Sequence, residues 1–411
     1  MSAYDTHQRL RTKAIRQLKK KAYDDAIKTI GDGSVQMLEA KEQGSGCDLA
    51  VYLVDIYTQS GKPCDEESRK RLVQIISLAA NDFWRKKVID AAIKWSVQAS
   101  RNPAGDSQLR LAIADMLAKE GSYFAAEGHY IAACVAPPAG SSAHVPEHAP
   151  KSFALMMIEW LGSFAQEVTK QEGESREAAV VERTESGRFA LRAVLPLLGL
   201  KAPDAAKGFL SIFISRLMTK HPSLLLPMNP NPRPYTTPAG ADSASSPAPP
   251  PPKGLQLYVT GNPDLNFAQM ALALTLHAIS SVSSGSSRVP EGLKQAWISL
   301  VRQYEREGGE AVHEPGTGDA INSVSTSYFQ LQAQRPQGNF MQDMLSSLMG
   351  GGGSQPGQGR IAGGAGGEEA EKVQALAIKQ APEPEAKQAQ GGGEGEEQEG
   401  AIEAPEEEDL D

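Results

Sequence analysis

The residues best suited by type and spacing to catalysis or metal binding are His144, Glu147 and His148, which occur in the order H-x-x-E-H. This spacing is typical of inverted zinc peptidases, in which the two histidines bind zinc and the glutamate acts as a base. That geometry requires both histidines on one face of an uninterrupted helix. Pro146 lies inside the pattern and further prolines flank it, so such a helix is disfavoured. We therefore predict a solvated loop, and a metallopeptidase is the weakest functional hypothesis.

No other pattern in the sequence indicates catalysis. The remaining histidines are isolated, and no G-x-x-x-x-G-K-[ST] phosphate loop occurs. The three cysteines, Cys47, Cys64 and Cys134, are too widely spaced for a zinc module or a disulfide framework. The sequence therefore predicts a protein that is not an enzyme and that has no cofactor and no metal site.

The elements that would position any site are helices. Apolar residues recur at spacings of three and four through most of the chain, as at Leu49, Tyr52, Leu53 and Ile56, which is typical of amphipathic helices. Short breaks rich in Gly, Pro or Asn separate these segments. One pattern occurs twice: a tyrosine directly after a turn, with a small alanine three residues later. The tyrosines are Tyr23 and Tyr123, and such a pattern is typical of tetratricopeptide hairpins. We predict an all-α, tetratricopeptide-like α-solenoid of antiparallel helical hairpins.

A single stretch has the alternation of a β-strand. Leu255, Leu257 and Val259 alternate with other residues, and a Gly-Asn-Pro sequence ends the run. The nearest apolar partner is the segment 224–228, so we predict one small β-hairpin in the C-terminal part. Its loop would be expanded by the proline-rich insert 227–253, which we expect to be disordered.

Composition divides the chain into three parts. We predict an N-terminal helical-repeat part at 1–135, a C-terminal helical-repeat part at 150–349, and a disordered Gly-rich tail at 350–411. The tail holds 15 acidic and 4 basic side chains, a net charge of minus 11. Because the whole chain carries minus 9, the first 349 residues carry plus 2. The acidic balance is therefore a property of the tail alone.

Basic residues are concentrated near the N-terminus. Arg9, Lys13, Arg16 and Lys20 fall on one helical face, and Asp5 is the only acidic residue among the first 21. A solvated face and a docking surface for an acidic protein partner are both compatible with this pattern. Nucleic acid is disfavoured as a partner, because no aromatic residues interleave with these cations and the tail is strongly acidic.

The sequence favours a cytosolic location. Its first residues are polar and lack the apolar region of a secretory signal. The longest apolar stretch, 265–287, is interrupted by Asn, Gln, His and several serines, so it is a poor membrane span. We expect a protein of a reducing compartment that does not insert directly into a membrane.

Six strings of residues carry a family resemblance when they are taken in order along the chain. They are Tyr4–Thr12, Tyr23–Ile27, Ala40–Leu49, Gly121–Tyr130, Asp264–Gln269 and Asn339–Leu345. This ordered set resembles the Golgi-to-ER traffic protein four family. The resemblance implies an all-helical scaffold of the GET pathway, which targets tail-anchored proteins to the ER membrane. It also implies one further helix before the Tyr4 region, so that this chain would begin within a helical hairpin.

The resemblance implies two protein partners for such a scaffold. The N-terminal helices would bind the targeting ATPase, the third component of the pathway. The C-terminal part with its hairpin would hold a ubiquitin-like-domain adaptor, the fifth component. Carried over by position, the ATPase contacts would be Arg11, Arg16, Lys20, Asp65 and Glu66, and the adaptor contacts would be Leu255, Leu257, Val259, Leu265 and Phe267. The alternative is a generic helical-repeat subunit of another assembly, such as a proteasome lid or an initiation-factor-like complex.

Overall fold

The structure, a computed structural model, describes residues 2–171, 177–238, 250–283, 288–309, 311, 314 and 316–332. The tail predicted at 350–411 and the closing segment Asn339–Leu345 lie outside these residues.

Seven helices form the N-terminal part of the described chain. They are α1 (Ala3–Lys19), α2 (Tyr23–Glu39), α3 (Gln43–Ser60), α4 (Glu66–Leu78), α5 (Phe83–Ser100), α6 (Ser107–Lys119) and α7 (Tyr123–Cys134). The two tyrosines singled out in the sequence begin α2 and α7, and the alanine three residues after each is completely buried. A small side chain at that position allows close approach of the neighbouring helix, as the repeat pattern predicts.

The C-terminal part adds six helices and a small sheet among the described residues. The elements are α8 (Ala149–Gln171), α9 (Ala178–Gly199), α10 (Pro203–Lys220), β1 (Arg233–Pro234), β2 (Gln256–Leu257), α11 (Pro263–Ser283), α12 (Glu291–Glu307) and α13 (Thr317–Phe329). A single 3₁₀ turn, Pro222–Leu224, follows α10.

Local sequence fixes several helix ends in the N-terminal part. Asp65, Asp82 and Asp106 are N-caps, and the carboxylate of each accepts hydrogen bonds from backbone N–H groups of the first helical turn. Such caps satisfy donors that an α-helix leaves unpaired. Gly61 ends α3 in the left-handed conformation at φ 65°, where glycine avoids the strain that a Cβ would cause.

Apart from α13, which packs mainly on α9, each helix packs mainly on helices one or two places away along the chain. Thus α2 packs on α1, α3 and α4, while α8 packs on α6, α7, α9 and α10. Contacts between near neighbours along the chain are those of a helical-repeat solenoid. The all-α prediction is confirmed, and the loop 135–148 does not separate two bodies, because α7 packs directly on both α8 and α9.

The turns between helices alternate between two edges of this array. At one edge, Ala80 N donates to Gln43 Oε1 at 2.8 Å and Asn81 Nδ2 donates to Ser122 Oγ at 3.1 Å. The turns before α3, α5 and α7 are therefore neighbours, and we call this the Phe83 edge.

The turns before α2, α4 and α6 lie at the opposite edge, which we call the Asp65 edge. Arg69 in α4 forms an ion pair of 3.6 Å with Asp106, the N-cap of α6. His7 in α1 contacts Asp48 in α3, and Arg11, four residues further along α1, lies over the ring of Tyr52, four residues further along α3. The two helices α1 and α3 therefore run in the same direction. The C-terminal end of α1 therefore points to the Asp65 edge.

The predicted hairpin exists, but its pairing differs from the prediction. β1 pairs antiparallel with β2, with Arg233 opposite Leu257. The predicted partner segment 224–228 meets the other strand only beyond β2, through a bridge between Leu225 and Thr260. The strand partner thus lies inside the insert that was expected to be disordered. That expectation is wrong for residues 227–238, where Tyr235 is buried, while residues 239–249 lie outside the described chain.

Two other sequence expectations meet the structure directly. Residues 144–148 form a loop before α8, which confirms that Pro146 keeps the H-x-x-E-H pattern out of a helix. Residues 263–282 of α11 are long and apolar enough to cross a membrane by length and composition, and 67% of that window is buried among other helices. A core helix satisfies the same criterion, and α11 packs on α9, α10, α12 and α13.

Candidate protein-docking surfaces

A stripe of free positive charge runs along α1. Arg9, Lys13, Arg16 and Lys20 follow one another at spacings of four, three and four residues, which places them on one helical face. All four side chains are exposed. None of them forms an ion pair within the described part of the chain. We call these four residues the basic stripe; its cations are available to an acidic partner.

Packing on α2 and α3 determines which face of α1 is exposed. Ala14 is completely buried, and Leu10 packs so closely on α2 that a Cβ at Gly33 would lie 2.6 Å from Leu10 Cδ1. Arg11 is also on the inner side, because it precedes Lys13 by two residues and lies about 200° away around the helix. The basic stripe is the side of α1 that this packing leaves to solvent.

Arg11 has intramolecular partners, in contrast to Arg16 and Lys20. Its Nη1 donates to Asp48 Oδ2 at 2.8 Å, and its guanidinium carbon lies 5.0 Å from the centre of the Tyr52 ring. His7 Nε2 lies 2.8 Å from the same Asp48 oxygen. The structure therefore separates Arg11 from the two other predicted basic residues, and Arg11 ties α1 to α3.

Asp65 and Glu66 stand at the beginning of α4, at the edge to which the C-terminal end of α1 points. Asp65 Oδ1 accepts a hydrogen bond of 2.9 Å from the Ser68 N–H, and its other oxygen lies 3.5 Å from Lys62 Nζ. Partial burial raises the pKa of Asp65, but the hydrogen bonds to Ser68 and Lys62 outweigh it and the net shift is downward. A hydrogen bond from Lys70 likewise lowers the pKa of Glu66. Both carboxylates therefore carry negative charge at neutral pH, and each already has a lysine partner.

The ribbon formed by β1, β2 and their continuations is held to α11 by side-chain amides. Gln269 Oε1 accepts from Tyr258 N and its Nε2 donates to Tyr258 O, both at 2.8 Å. Asn266 makes the same pair of bonds to Thr260, at 3.0 and 2.8 Å. The two side-chain amides thus pair with backbone groups that a neighbouring strand would otherwise bond. This gives a physical reason for the Asn and Gln in the Asp264–Gln269 string.

A third amide closes the other side of the ribbon. Asn231 Nδ2 donates to Leu226 O at 3.0 Å and to Val259 O at 2.9 Å, while its Oδ1 accepts from Val259 N at 3.1 Å. This side chain bridges the gap between the strand pair at Arg233 and the bridge at Leu225. The ribbon is therefore an ordered element in spite of its proline content.

The start of α11 is anchored on α9. Asn262 Nδ2 donates to the carbonyl oxygens of Arg183 at 2.9 Å and Thr184 at 2.8 Å, and its Oδ1 accepts from Leu265 N at 3.0 Å. Gly187 makes this approach possible, because a Cβ there would lie 2.2 Å from Asn262 Oδ1. The ribbon consequently has a fixed position on the C-terminal helices.

The five predicted adaptor contacts divide into two groups. Leu255, Leu257 and Val259 are half-buried on the ribbon and present part of their side chains to solvent. Leu265 and Phe267 are completely buried, and Phe267 packs on the Tyr304 ring with centroids 4.9 Å apart. The prediction of direct contact is therefore corrected for these last two, whose side chains belong to the core.

Two exposed apolar side chains extend the ribbon surface and were not among the predicted contacts. Leu226 and Met228 are 41% and 42% exposed, and Leu226 N donates to Val259 O at 3.0 Å. The apolar run 224–228 was visible in the sequence, but only as a strand partner. We call Leu226, Met228, Leu255, Leu257 and Val259 the ribbon surface; it has the apolar character of an interface centre.

The described residues contain no group of three or more His, Cys, Asp or Glu side chains placed to hold a metal ion. The buried charged residues that they do contain are engaged in structural pairs. Examples are Arg85 with Glu120 and Arg192 with Glu127. The basic stripe and the ribbon surface, by contrast, are patches suited to contacts with other proteins.

Comparison with known proteins gives consistent results. The family model described as Golgi to ER traffic protein 4 matches residues 20–349. Golgi to ER traffic protein 4 of Aspergillus fumigatus is 28% identical over 87% of this chain and 88% of its own length. That of Schizosaccharomyces pombe is 32% identical over 31% of this chain, which spans 42% of the length of that relative. A crystal structure of C. therm. Get4 matches with a TM-score of 0.59 at 25% identity, covering 87% of this chain and 93% of that one.

The fold and the family match place the chain in the class of helical scaffold proteins. Because the family model covers most of the chain, the chain belongs to the Golgi to ER traffic protein 4 family. This membership confirms the resemblance found in the sequence and assigns the chain a role in a traffic complex that serves transport to the ER.

Proposed function

We propose that the chain is a non-enzymatic cytosolic scaffold that bridges a targeting ATPase and a ubiquitin-like-domain adaptor. By holding both, it would allow tail-anchored membrane proteins to be delivered to the ER membrane after their translation. The chain itself would neither bind nucleic acid nor insert into the membrane. Family membership supports the pathway, and the two surfaces support the assignment of partners.

The observation that carries the proposal is the separation of two unlike surfaces on one helical array. The basic stripe lies on the first helix, whereas the ribbon surface lies on α11 and its neighbours. A rigid solenoid with a docking site near each end can hold two partners at once without changing its own conformation. A bridging role needs this arrangement.

The basic stripe is the proposed ATPase site, with Arg16 and Lys20 as direct contacts. Asp65 and Glu66, at the edge to which the C-terminal end of α1 points, would pair with basic groups of the same partner, and the mixed charges would determine its orientation. Arg11 would act as a positioning residue, because its contacts with Asp48 and Tyr52 hold α1 in place.

The ribbon surface is the proposed adaptor site. Leu255, Leu257 and Val259 would contact the adaptor together with Leu226 and Met228. Leu265 and Phe267 would support it from the core. An apolar centre of this kind can provide most of the affinity of a stable interface, whereas rim charges mainly affect association rates.

Charge reversal tests the ATPase assignment. Arg16→Glu combined with Lys20→Glu is expected to weaken ATPase binding by roughly tenfold at low salt, with a smaller difference at high salt because exposed charges are screened. Adaptor binding should be unchanged, since the ribbon surface is remote. Both affinities can be measured by calorimetry on the full chain.

A matched control changes the same charge elsewhere. Lys151→Glu combined with Lys207→Glu alters two exposed lysines of α8 and α10 and should leave ATPase binding intact. If the control pair weakened ATPase binding equally, the effect would be due to the net charge of the chain and not to the basic stripe. Unaltered ATPase binding by the Arg16 and Lys20 variant would remove the basic stripe from the proposed site.

A further inference from the structure

The N-terminal turn of α5 inverts the usual distribution of side chains. Arg85 is buried, with 2% of its surface exposed, whereas Phe83 and Trp84 are 63% and 41% exposed. The buried stripe of α5 begins at Arg85 and continues through Val88 and Ile89, so the two rings lie outside it. Large exposed aromatic side chains at adjacent positions contribute little to the core and are typical of interaction sites.

The two rings form one ordered patch. They contact each other edge to face with centroids 5.7 Å apart, and Lys87 Nζ lies 4.5 Å from the centre of Phe83 and 5.1 Å from that of Trp84. Trp84 also covers the start of α3, where a Cβ at Gly44 would lie 3.9 Å from the ring. The patch is therefore preorganised, which reduces the entropy lost on binding.

The turn before α7 extends this patch along the Phe83 edge. Asn81 Nδ2 donates to Ser122 Oγ at 3.1 Å, which fixes the two turns side by side. Phe124, two residues further on, is 38% exposed. Three exposed aromatic rings thus lie along one edge of the solenoid, opposite the Asp65 edge.

Lysines outnumber the acidic side chains without an ion-pair partner at the Phe83 edge. Four exposed lysines form no ion pair within the part of the chain that the structure describes; they are Lys41, Lys86, Lys87 and Lys119. Among the acidic groups there, Asp82 accepts from the Trp84 and Arg85 N–H groups, and Glu120 pairs with Arg85. Glu39 and Glu42 flank Lys41, are exposed and form no ion pair within the described residues. Carboxylates of a partner would complement these lysines.

We infer that the Phe83 edge is a second docking surface of the N-terminal part, and that it binds a protein segment carrying acidic and apolar side chains together, as an acidic amphipathic helix does. The apolar face of such a segment would cover Phe83, Trp84 and Phe124. Its carboxylates would pair with the surrounding lysines and compete for Lys87, which now lies over the rings. This surface is distinct from the basic stripe and from the ribbon surface, so the inference does not depend on the ATPase or the adaptor.

A synthetic peptide helix with leucines on one face and glutamates on the other is a suitable probe. Binding to the full chain can be followed by fluorescence of a label on the peptide. We expect binding that weakens with added salt, and a loss of roughly tenfold or more in affinity for Phe83→Ser combined with Trp84→Ala. Tyr4→Ser, which removes an exposed ring of α1, is the matched control and should bind like the parent chain.

Folding of each variant is checked by its urea unfolding curve, and Phe83→Ser alone provides a milder change at a largely exposed position. Three outcomes would overturn the inference. One is that the peptide binds the parent chain and the double variant equally well, or that it binds neither. Another is equal binding of a peptide with glutamines in place of glutamates. The third is binding of anionic phosphatidylserine vesicles without binding of the peptide, which would make the edge a membrane contact instead.

Discussion

Replacing Arg192 with leucine is expected to lower the free energy of unfolding by about 3–5 kcal/mol, the cost of breaking a buried ion pair by removing one partner. Arg192 in α9 donates from Nε to Oε1 of Glu127 in α7 at 2.9 Å, and a second bond joins Nη2 to the other oxygen. Glu127 is 2% exposed. The arginine also covers the Trp160 ring, with its guanidinium carbon 4.9 Å from the centre. The pair joins the helices on the two sides of the loop 135–148.

The expected loss depends on pH. Burial raises the pKa of Glu127, and Arg192 opposes that shift. Without Arg192, the pKa of this carboxyl in the folded variant therefore lies further above the ordinary value of 4.5. A group with a raised folded pKa destabilises the fold as pH rises through that value. The deficit of Arg192→Leu should therefore be largest at neutral pH and shrink as pH falls towards 4.5.

Urea unfolding of matched variants checks this prediction. The double change Glu127→Leu with Arg192→Leu should recover most of the loss, because no charge is then left buried without a partner. Lys70→Leu, which removes an exposed ion pair with Glu66, should change little. A small effect of Arg192→Leu, or a double variant as unstable as the single one, would contradict the assigned role of the pair.

Gln269→Leu is expected to weaken adaptor binding by roughly tenfold or more while leaving ATPase binding unchanged. The substitution removes both hydrogen bonds that hold Tyr258 to α11. A buried backbone group without a partner costs about 1–3 kcal/mol, so the ribbon should open rather than remain in place unpaired. Each 1.4 kcal/mol of opening free energy reduces the apparent affinity about tenfold.

Two measurements make this result interpretable. Gln295→Leu is the matched control. It changes an exposed glutamine of α12 whose side chain, among the described residues, bonds only to Glu291 one turn earlier, and the affinity of this variant for the adaptor should equal that of the parent chain. Amide hydrogen exchange reports whether the Tyr258 N–H loses protection in Gln269→Leu. Lost protection together with unchanged adaptor affinity would show that the ribbon surface does not bind the adaptor.

The helices could be predicted from the sequence because their signal is local. Periodic apolar residues marked α3 through Leu49, Leu53 and Ile56, and all three are completely buried. The loop at Pro146 followed in the same way from the geometry of proline. The family could also be recognised from the sequence, because the strings that resemble it occur in order along the chain.

The ribbon could not be predicted in the same way, because distant side chains stabilise it. A two-residue strand that contains Pro234 has no strand periodicity, and its pairing depends on amides at Asn231, Asn266 and Gln269. The assignment of Phe267 as a contact depended on family position, which carries no information on burial. The aromatic patch was missed because apolar periodicity does not reveal which rings lie outside the buried stripe of α5.

The central claim, that this chain bridges two partners, is tested most directly by reconstitution from purified components. The chain, the targeting ATPase and the ubiquitin-like-domain adaptor are mixed, and the molar mass of the products is measured by light scattering during size-exclusion chromatography. We expect one species that contains all three proteins, and no association of ATPase with adaptor when the chain is left out. Separate binary complexes that never combine, or an ATPase and adaptor that associate equally well without the chain, would contradict the bridging role.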